Sequence, residues 1–232
     1  MSAFLDHLAF GIYPYVAIAT LLLGSLLRFE REQYSWRSGS SQLLRRRQLM
    51  VGSVLFHIGI LFLLFGHTVG LLTPEALYGL VITAPQKQML AIVSGGAAGL
   101  VCFVGLTMLL HRRLYDPRIR ATSSFADIAI LVLLWVQLVL GLATIPFSLS
   151  HLDGSVMMSL SHWAQGIVTF QGDAANHVEG VGFVFKAHLL LGLTVFLLFP
   201  FSRLVHIWSA PLSYAFRPYQ LVRRRGRNAR VA

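Results

Sequence analysis

The sequence predicts an all-α, polytopic membrane bundle of five transmembrane helices, with the N-terminus outside and the C-terminus in the cytoplasm. Three observations carry that prediction. Of 232 residues, 56% are hydrophobic and only 12% are charged, where a soluble domain carries about a quarter. Apolar runs of roughly twenty residues recur, each long enough to cross about 30 Å of hydrocarbon. The runs are continuous and not alternating, which selects helices over a β-barrel. A single membrane domain over 1–232 accounts for the pattern.

The first run, 4–27, is too long for the apolar core of a signal peptide, and no small-residue cleavage site follows it. It reads as a retained first helix. A polar stretch, 28–47, then carries Arg28, Arg31, Arg37, Arg45, Arg46 and Arg47. Helix two covers 48–72 and stops at Thr73-Pro74. A short, weakly charged loop leads to helix three at 86–110. His111-Arg112-Arg113 and Asp116-Pro117-Arg118-Ile119-Arg120 form a second basic loop. Helix four covers 125–149, with Pro146 near its end. The connection 150–180 holds few charges, mostly the acids Asp153, Asp173 and Glu179. Within it, 156–170 is apolar but broken by Ser159, Ser161, His162 and Gln165. That segment is too short for a comfortable crossing and reads as an outer cap helix. Helix five covers 181–208, and a basic tail, 209–232, follows.

Charge sets the expected orientation. Of 19 lysines and arginines, 17 lie after helices one and three or from Arg203 onward. Only Lys87 and Lys186 fall near the opposite face. The positive-inside effect therefore places those loops and the tail in the cytoplasm. The net charge of +10 suits anionic lipid headgroups or a partner protein, and no nucleic acid. The single cysteine, Cys102, excludes an intrachain disulfide. It also excludes a Cys-x-x-Cys-His haem attachment and an iron–sulfur cluster ligated by this chain alone. Cys102 reads as a small packing residue.

Nine histidines are present. His7, His111, His151, His162 and His177 fall near helix ends or in loops, where surface exposure explains them. His57, His67, His188 and His206 lie within apolar runs, where an ionisable ring is costly. Helices two and five run antiparallel, so depth pairs His57 with His206 and His67 with His188. Two bis-histidine haems fit this pattern. Buried structural histidines and a proton relay are the alternatives. The spacing is uneven: 10 residues on helix two, about 15 Å, against 18 on helix five, about 27 Å. Haem tilt and a kink at Pro200 are the available ways to absorb the difference.

Weaker signals surround the histidines. Gly59, Gly66 and Gly70 on helix two, and Gly95, Gly96 and Gly99 on helix three, permit close approach of a macrocycle or a neighbouring helix. Arg112, Arg113 and Arg203 suit haem propionates, but basic residues at the inner face need no such role. Lys87, beside the outer end of helix two, suits a quinone or quinol oxygen, or is a snorkelling interface lysine.

The ordered strings Gln33-Tyr34-Ser35-Trp36-Arg37, Phe56-His57-Ile58-Gly59-Ile60, Gly66-His67 and Leu72-Thr73-Pro74 carry a resemblance. So do Thr144-Ile145-Pro146-Phe147-Ser148, Trp163-Ala164-Gln165 and Phe199-Pro200-Phe201-Ser202-Arg203-Leu204-Val205-His206-Ile207-Trp208-Ser209. From Ile12-Tyr13-Pro14-Tyr15 to Tyr219-Gln220-Leu221-Val222-Arg223, the chain resembles the γ subunit of membrane-bound respiratory nitrate reductase, a di-haem cytochrome b. The resemblance implies two haem b groups. His57 and His206 would ligate the one nearer the cytoplasm, and His67 and His188 the one nearer the outside. It implies a quinol site at Lys87, taking menaquinol or ubiquinol. It also implies an iron–sulfur (beta) subunit and a molybdenum catalytic (alpha) subunit on the cytoplasmic side of a bacterial inner membrane. The sequence diverges from the family in 75–85 and beyond Arg223, which touches the quinol pocket and the docking surface. A cytochrome b anchor of another quinol-linked oxidoreductase, or a histidine-dependent proton-coupled transporter, are the rival readings.

Overall fold

A computed structural model describes residues 3–36 and 44–209. Arg37 and the expected basic tail beyond Ser209 lie outside the described residues. Every regular element among the described residues is helical. Among the described residues, five helices are long and apolar enough to cross a membrane: Phe4–Arg31, Arg46–Leu72, Ala84–Tyr115, Phe125–Leu149 and Phe183–Phe201. These are helices one to five below. Helix two packs on three, three on four, four on five, and five back on one. Helices two and five thus face each other before a wall formed by three and four. The end carrying most arginines is the basic end, and the opposite end, closed by a short helix, is the cap end.

Helix one departs from regular α geometry near its start. Pro14 has no N–H, so the Phe10 carbonyl has no i+4 donor. The chain widens into a π-turn at Leu8–Ile12. The freed Phe10 carbonyl accepts a hydrogen bond from Trp163 Nε1 at 2.9 Å. A buried carbonyl needs such a partner, and here it ties helix one to the cap.

Glycine permits the tight contact of helices two and three. A Cβ on Gly59 would lie 2.5 Å from Cys102 Cβ, and one on Gly105 would overlap the Phe56 backbone. Cys102 is fully buried there, as a packing residue should be. Gly99 and Gly96 lie against Leu142 and Ile145 of helix four, so three of the four helix three glycines, Gly105 included, serve helix packing.

Four helices differ in length from the sequence expectation. Helix one runs on to Arg31, so Arg28 and Arg31 lie in its last turn and not in the polar stretch after it, and helix two begins at Arg46. Helix three begins at a capping box between Thr83 and Gln86 and runs to Tyr115. Asp116, held extended before Pro117, ends it. Arg112 and Arg113 therefore lie buried in its last turn and not in a loop. Helix five is shorter than the expected 181–208. Its α-helical part is Phe183–Leu198, followed by 3-10 turns at Phe199–Phe201 and Arg203–Ser209. Pro200 supplies no N–H and crowds the carbonyl four residues back, so the α-helix stops.

The expected cap is a helix, Ser155–Val168. Trp163, Ala164 and Ile167 pack with Phe10, Ala174, Ala175 and Val178. Its polar interruptions have a structural use. Ser161 Oγ reaches the Gly70 carbonyl at 3.4 Å, and Gln165 Nε2 the Leu71 carbonyl at 3.0 Å. These are acceptors left open at the end of helix two. Asp153 accepts from the Ser155 hydroxyl and N–H before this helix, which holds its carboxyl below the usual range.

Candidate functional site

The structure brings the four apolar-run histidines together in the expected pairs. The His57 and His206 ring centroids are 6.4 Å apart, and those of His67 and His188 are 6.1 Å apart. The uneven spacing is resolved by the break in helix five. His206 does not ride on the α-helix but on the 3-10 turn Arg203–Ser209 beyond Pro200. It therefore need not follow the rise and face of helix five.

Each ring is fixed through the same atom. Nδ1 bonds the backbone carbonyl of Ser53 for His57 (2.7 Å), Leu63 for His67 (2.7 Å), Gln137 for His188 (3.1 Å) and Arg203 for His206 (2.6 Å). A carbonyl acceptor places the proton on Nδ1 and leaves the Nε2 lone pair as the ligand. An imidazole nitrogen binds a transition metal at about 2 Å, so two rings opposed across one iron have centroids about 6.3 Å apart. Both pairs match that separation. The residues present fit two bis-histidine haems.

Three of the four carbonyls come from the histidine's own chain segment. His188 is the exception, because Gln137 belongs to helix four. Gln137 Nε2 returns a bond to the His188 carbonyl at 3.0 Å. Gly141, one turn along, leaves room for the ring: a Cβ there would lie 2.9 Å from His188 Cε1. On helix two, a Cβ on Gly66 or Gly70 would meet nothing within 4 Å. Those two glycines leave space, whereas Gly59 packs against helix three.

The three candidate arginines gather at the basic end. Arg203 Nε pairs with Asp127 Oδ1 at 2.8 Å, and Arg113 Nη1 lies 3.6 Å from Asp127 Oδ2. Arg113 also donates to Ser123 Oγ at 3.0 Å. Arg112 Nη2 donates to the Leu44 carbonyl at 2.6 Å. Arg203 lies three residues before His206, and its carbonyl holds that ring.

Lys87 is buried near the cap end, and its ammonium has no hydrogen-bond acceptor among the described residues. It lies 3.8 Å over the ring of Tyr78, a cation–π contact. The Tyr78 hydroxyl donates to Met158 Sδ at 2.7 Å. Burial, then the charge of Glu75, push the Tyr78 phenol above its usual range, so it stays protonated. This environment is unlike that of a snorkelling lysine, whose head reaches water. The other five histidines are exposed or half-buried, as expected.

Sequence reasoning missed Gln137, Gly141, Asp127 and Tyr78. Gln137 had a readable signal, being an amide inside an apolar run. Tyr78 had none, because only the fold brings it beneath Lys87.

Five membrane-spanning helices with two opposed histidine pairs are the scaffold of a membrane cytochrome b. A family model described as the nitrate reductase gamma subunit matches residues 6–225, and the chain belongs to that family. The respiratory nitrate reductase 1 gamma chain of Escherichia coli is 54% identical over 96% of this chain and 99% of its own length. The respiratory nitrate reductase 2 gamma chain of the same species is 50% identical over 97% of this chain. The nitrate reductase gamma chain of Bacillus subtilis is 38% identical over 94% of this chain. Its spans and family make the chain a multi-pass protein of the bacterial inner membrane.

Proposed function

We propose that this chain is the quinol-oxidising membrane anchor of a respiratory nitrate reductase, with the cap end outside and the basic end in the cytoplasm. The observation that carries this is the double match of ring separation, 6.4 and 6.1 Å, with Nδ1 tied to a carbonyl in every ring. His67 and His188 would hold one haem b near the outer face, and His57 and His206 a second near the cytoplasm. Bound there, the haems supply one-electron redox chemistry at two depths in the membrane.

The chain's own residues supply the rest. The Lys87 ammonium binds a quinol oxygen, taking the acceptor it lacks among the described residues. Oxidation there releases protons to the outside while electrons go inward, so charge separates without a proton pump. Menaquinol or ubiquinol is the donor. Arg113 and Arg203 are placed to exchange part of their hold on Asp127 for haem propionates. An iron–sulfur subunit docks at the basic end and passes electrons to a molybdenum subunit that reduces nitrate.

The geometry disfavours a proton relay. Rings about 6 Å apart leave facing nitrogens about 4 Å apart, beyond hydrogen-bond reach. The test is a reduced-minus-oxidised spectrum of membranes holding this chain, followed by co-purification and a nitrate assay with a quinol donor. A b-type α band from two haems per chain, with quinol-dependent nitrate reduction in the purified complex, is the expected result. Absence of the band ends the proposal, and a band without nitrate reduction points to another quinol-linked oxidoreductase.

Gly141 gives a narrower prediction. Gly141→Val inserts side-chain atoms where His188 Cε1 already lies within 2.9 Å of a Cβ. The haem held by His67 and His188 should be lost or turn high-spin, and the other should persist. Quantifying each haem by low-temperature spectroscopy checks this, and retention of both refutes it.

A further inference from the structure

Arg28 looks by position like part of the basic loop that faces lipid or a partner. Its side chain does something else. Nη1 donates to the carbonyls of Pro200 at 2.6 Å and Ser202 at 2.8 Å. Nη2 donates to the Ser35 carbonyl at 2.8 Å and Nε to Ser35 Oγ at 3.2 Å. The guanidinium thus binds the break in helix five and the turn Gln33–Ser35 at once.

The break needs such a partner. In an unbroken helix, the Pro200 carbonyl would accept from Leu204 N–H. Here Leu204 N–H is taken by Ser202 Oγ at 3.2 Å, so the Pro200 carbonyl turns to Arg28. Two neighbours of Arg28 on helix one complete the seat. A Cβ on Gly24 would lie 2.9 Å from Pro200 Cγ, so the proline ring fits only against glycine. Ser25 Oγ accepts from Trp208 Nε1 at 3.2 Å. Gly24, Ser25 and Arg28 therefore locate both ends of the segment that carries His206.

We infer that Arg28 is a positioning residue for His206, and that helix one, which supplies no ligand, sets the geometry of the basic-end iron site. This rests on the haem ligation proposed above. Arg28 acts through the backbone: it fixes the Pro200 and Ser202 carbonyls, which fix the turn and the direction of His206 Nε2. The planar fork is required, because a lysine head cannot span both carbonyls and Ser35 together.

The test uses the complete complex in membranes, carrying Arg28→Gln, Arg28→Lys or Gly24→Ala. Each haem is read by its low-spin electron paramagnetic resonance signature and its midpoint potential. All three variants should alter the haem of His57 and His206 and leave that of His67 and His188 unchanged, the latter reporting an intact fold. A tenfold change in the relative affinity of the two oxidation states reads as about 59 mV. Both haems unaltered, or both altered alike, would overturn the inference. Gly24→Ala changes no charge, so a shared result with Arg28→Gln excludes a purely electrostatic cause. If the unmodified complex shows no b-type haem, the functional proposal itself has failed, and that outcome is distinguishable from the others.

Discussion

His57→Ala should remove one b-type haem signal, and His67→Ala should remove the other. The structure makes these substitutions clean tests of ligation. Both rings are exposed on helix two in the chain alone, so neither is a packing element whose loss leaves a cavity. Each is held chiefly by its own helix, through Nδ1 to the carbonyl four residues earlier. That carbonyl keeps its helical partner when the ring is gone. Alanine is also the better helix former. Helix two should therefore persist, and any lost haem signal reports a lost iron ligand. Losing the hydrogen-bond partner of a ligand already costs about 10–100-fold in metal affinity, so losing the ligand itself should exceed that. Redox titration of membranes carrying each variant reads the two signals separately. Disappearance of the same signal in both variants would sink the arrangement of one ligand per helix per haem.

Much of this site was legible in the sequence, and the reason is physical. An imidazole in hydrocarbon is rare enough that four of them in two antiparallel apolar runs single themselves out, and depth suggests which two meet. The five spans were legible for the same reason, since twenty apolar residues permit few other fates. The cap helix was visible as an apolar segment too short to cross. What could not be read was how a spacing of 10 meets a spacing of 18. Pro200 marked a kink, but a proline does not say where the chain goes after it. That direction comes from Gly24, Ser25 and Arg28, contributed from about 170 residues away in the chain. The length of helix three was missed because Arg112 and Arg113 look like loop residues until burial places them in its last turn. Gln137 was half legible: its amide stands out in an apolar run and bonds the His188 carbonyl, but the backbone carbonyl that holds the His188 ring is available to any residue type.

Lys87 separates function from stability most sharply. Lys87→Ala should slow quinol-driven haem reduction while leaving the haem content intact. A hydrogen bond to a charged group contributes about 1.5–3 kcal/mol, so kcat/KM for quinol should fall roughly 10- to 150-fold. Stability should respond in the opposite sense to that of an ordinary buried residue. The ammonium has no hydrogen-bond acceptor among the described residues; the Tyr78 ring lies at 3.8 Å, and the charge of Glu75 adds a weaker, more distant attraction. A cation over a ring recovers about 0.5–2 kcal/mol, less than the several kcal/mol that burying an ion costs. Lys87→Met keeps the apolar stem and removes the charge, so its melting temperature should equal or exceed that of the unmodified chain. Its quinol kinetics should nevertheless match those of Lys87→Ala. Haem reduction by dithionite, which needs no quinol site, should be normal in both. Stopped-flow reduction with quinol and with dithionite, beside thermal unfolding of the same preparations, reads all three quantities. An unchanged quinol rate in Lys87→Met would remove the ammonium from the site. A lowered melting temperature with unchanged quinol kinetics would make Lys87 a structural residue held by Tyr78.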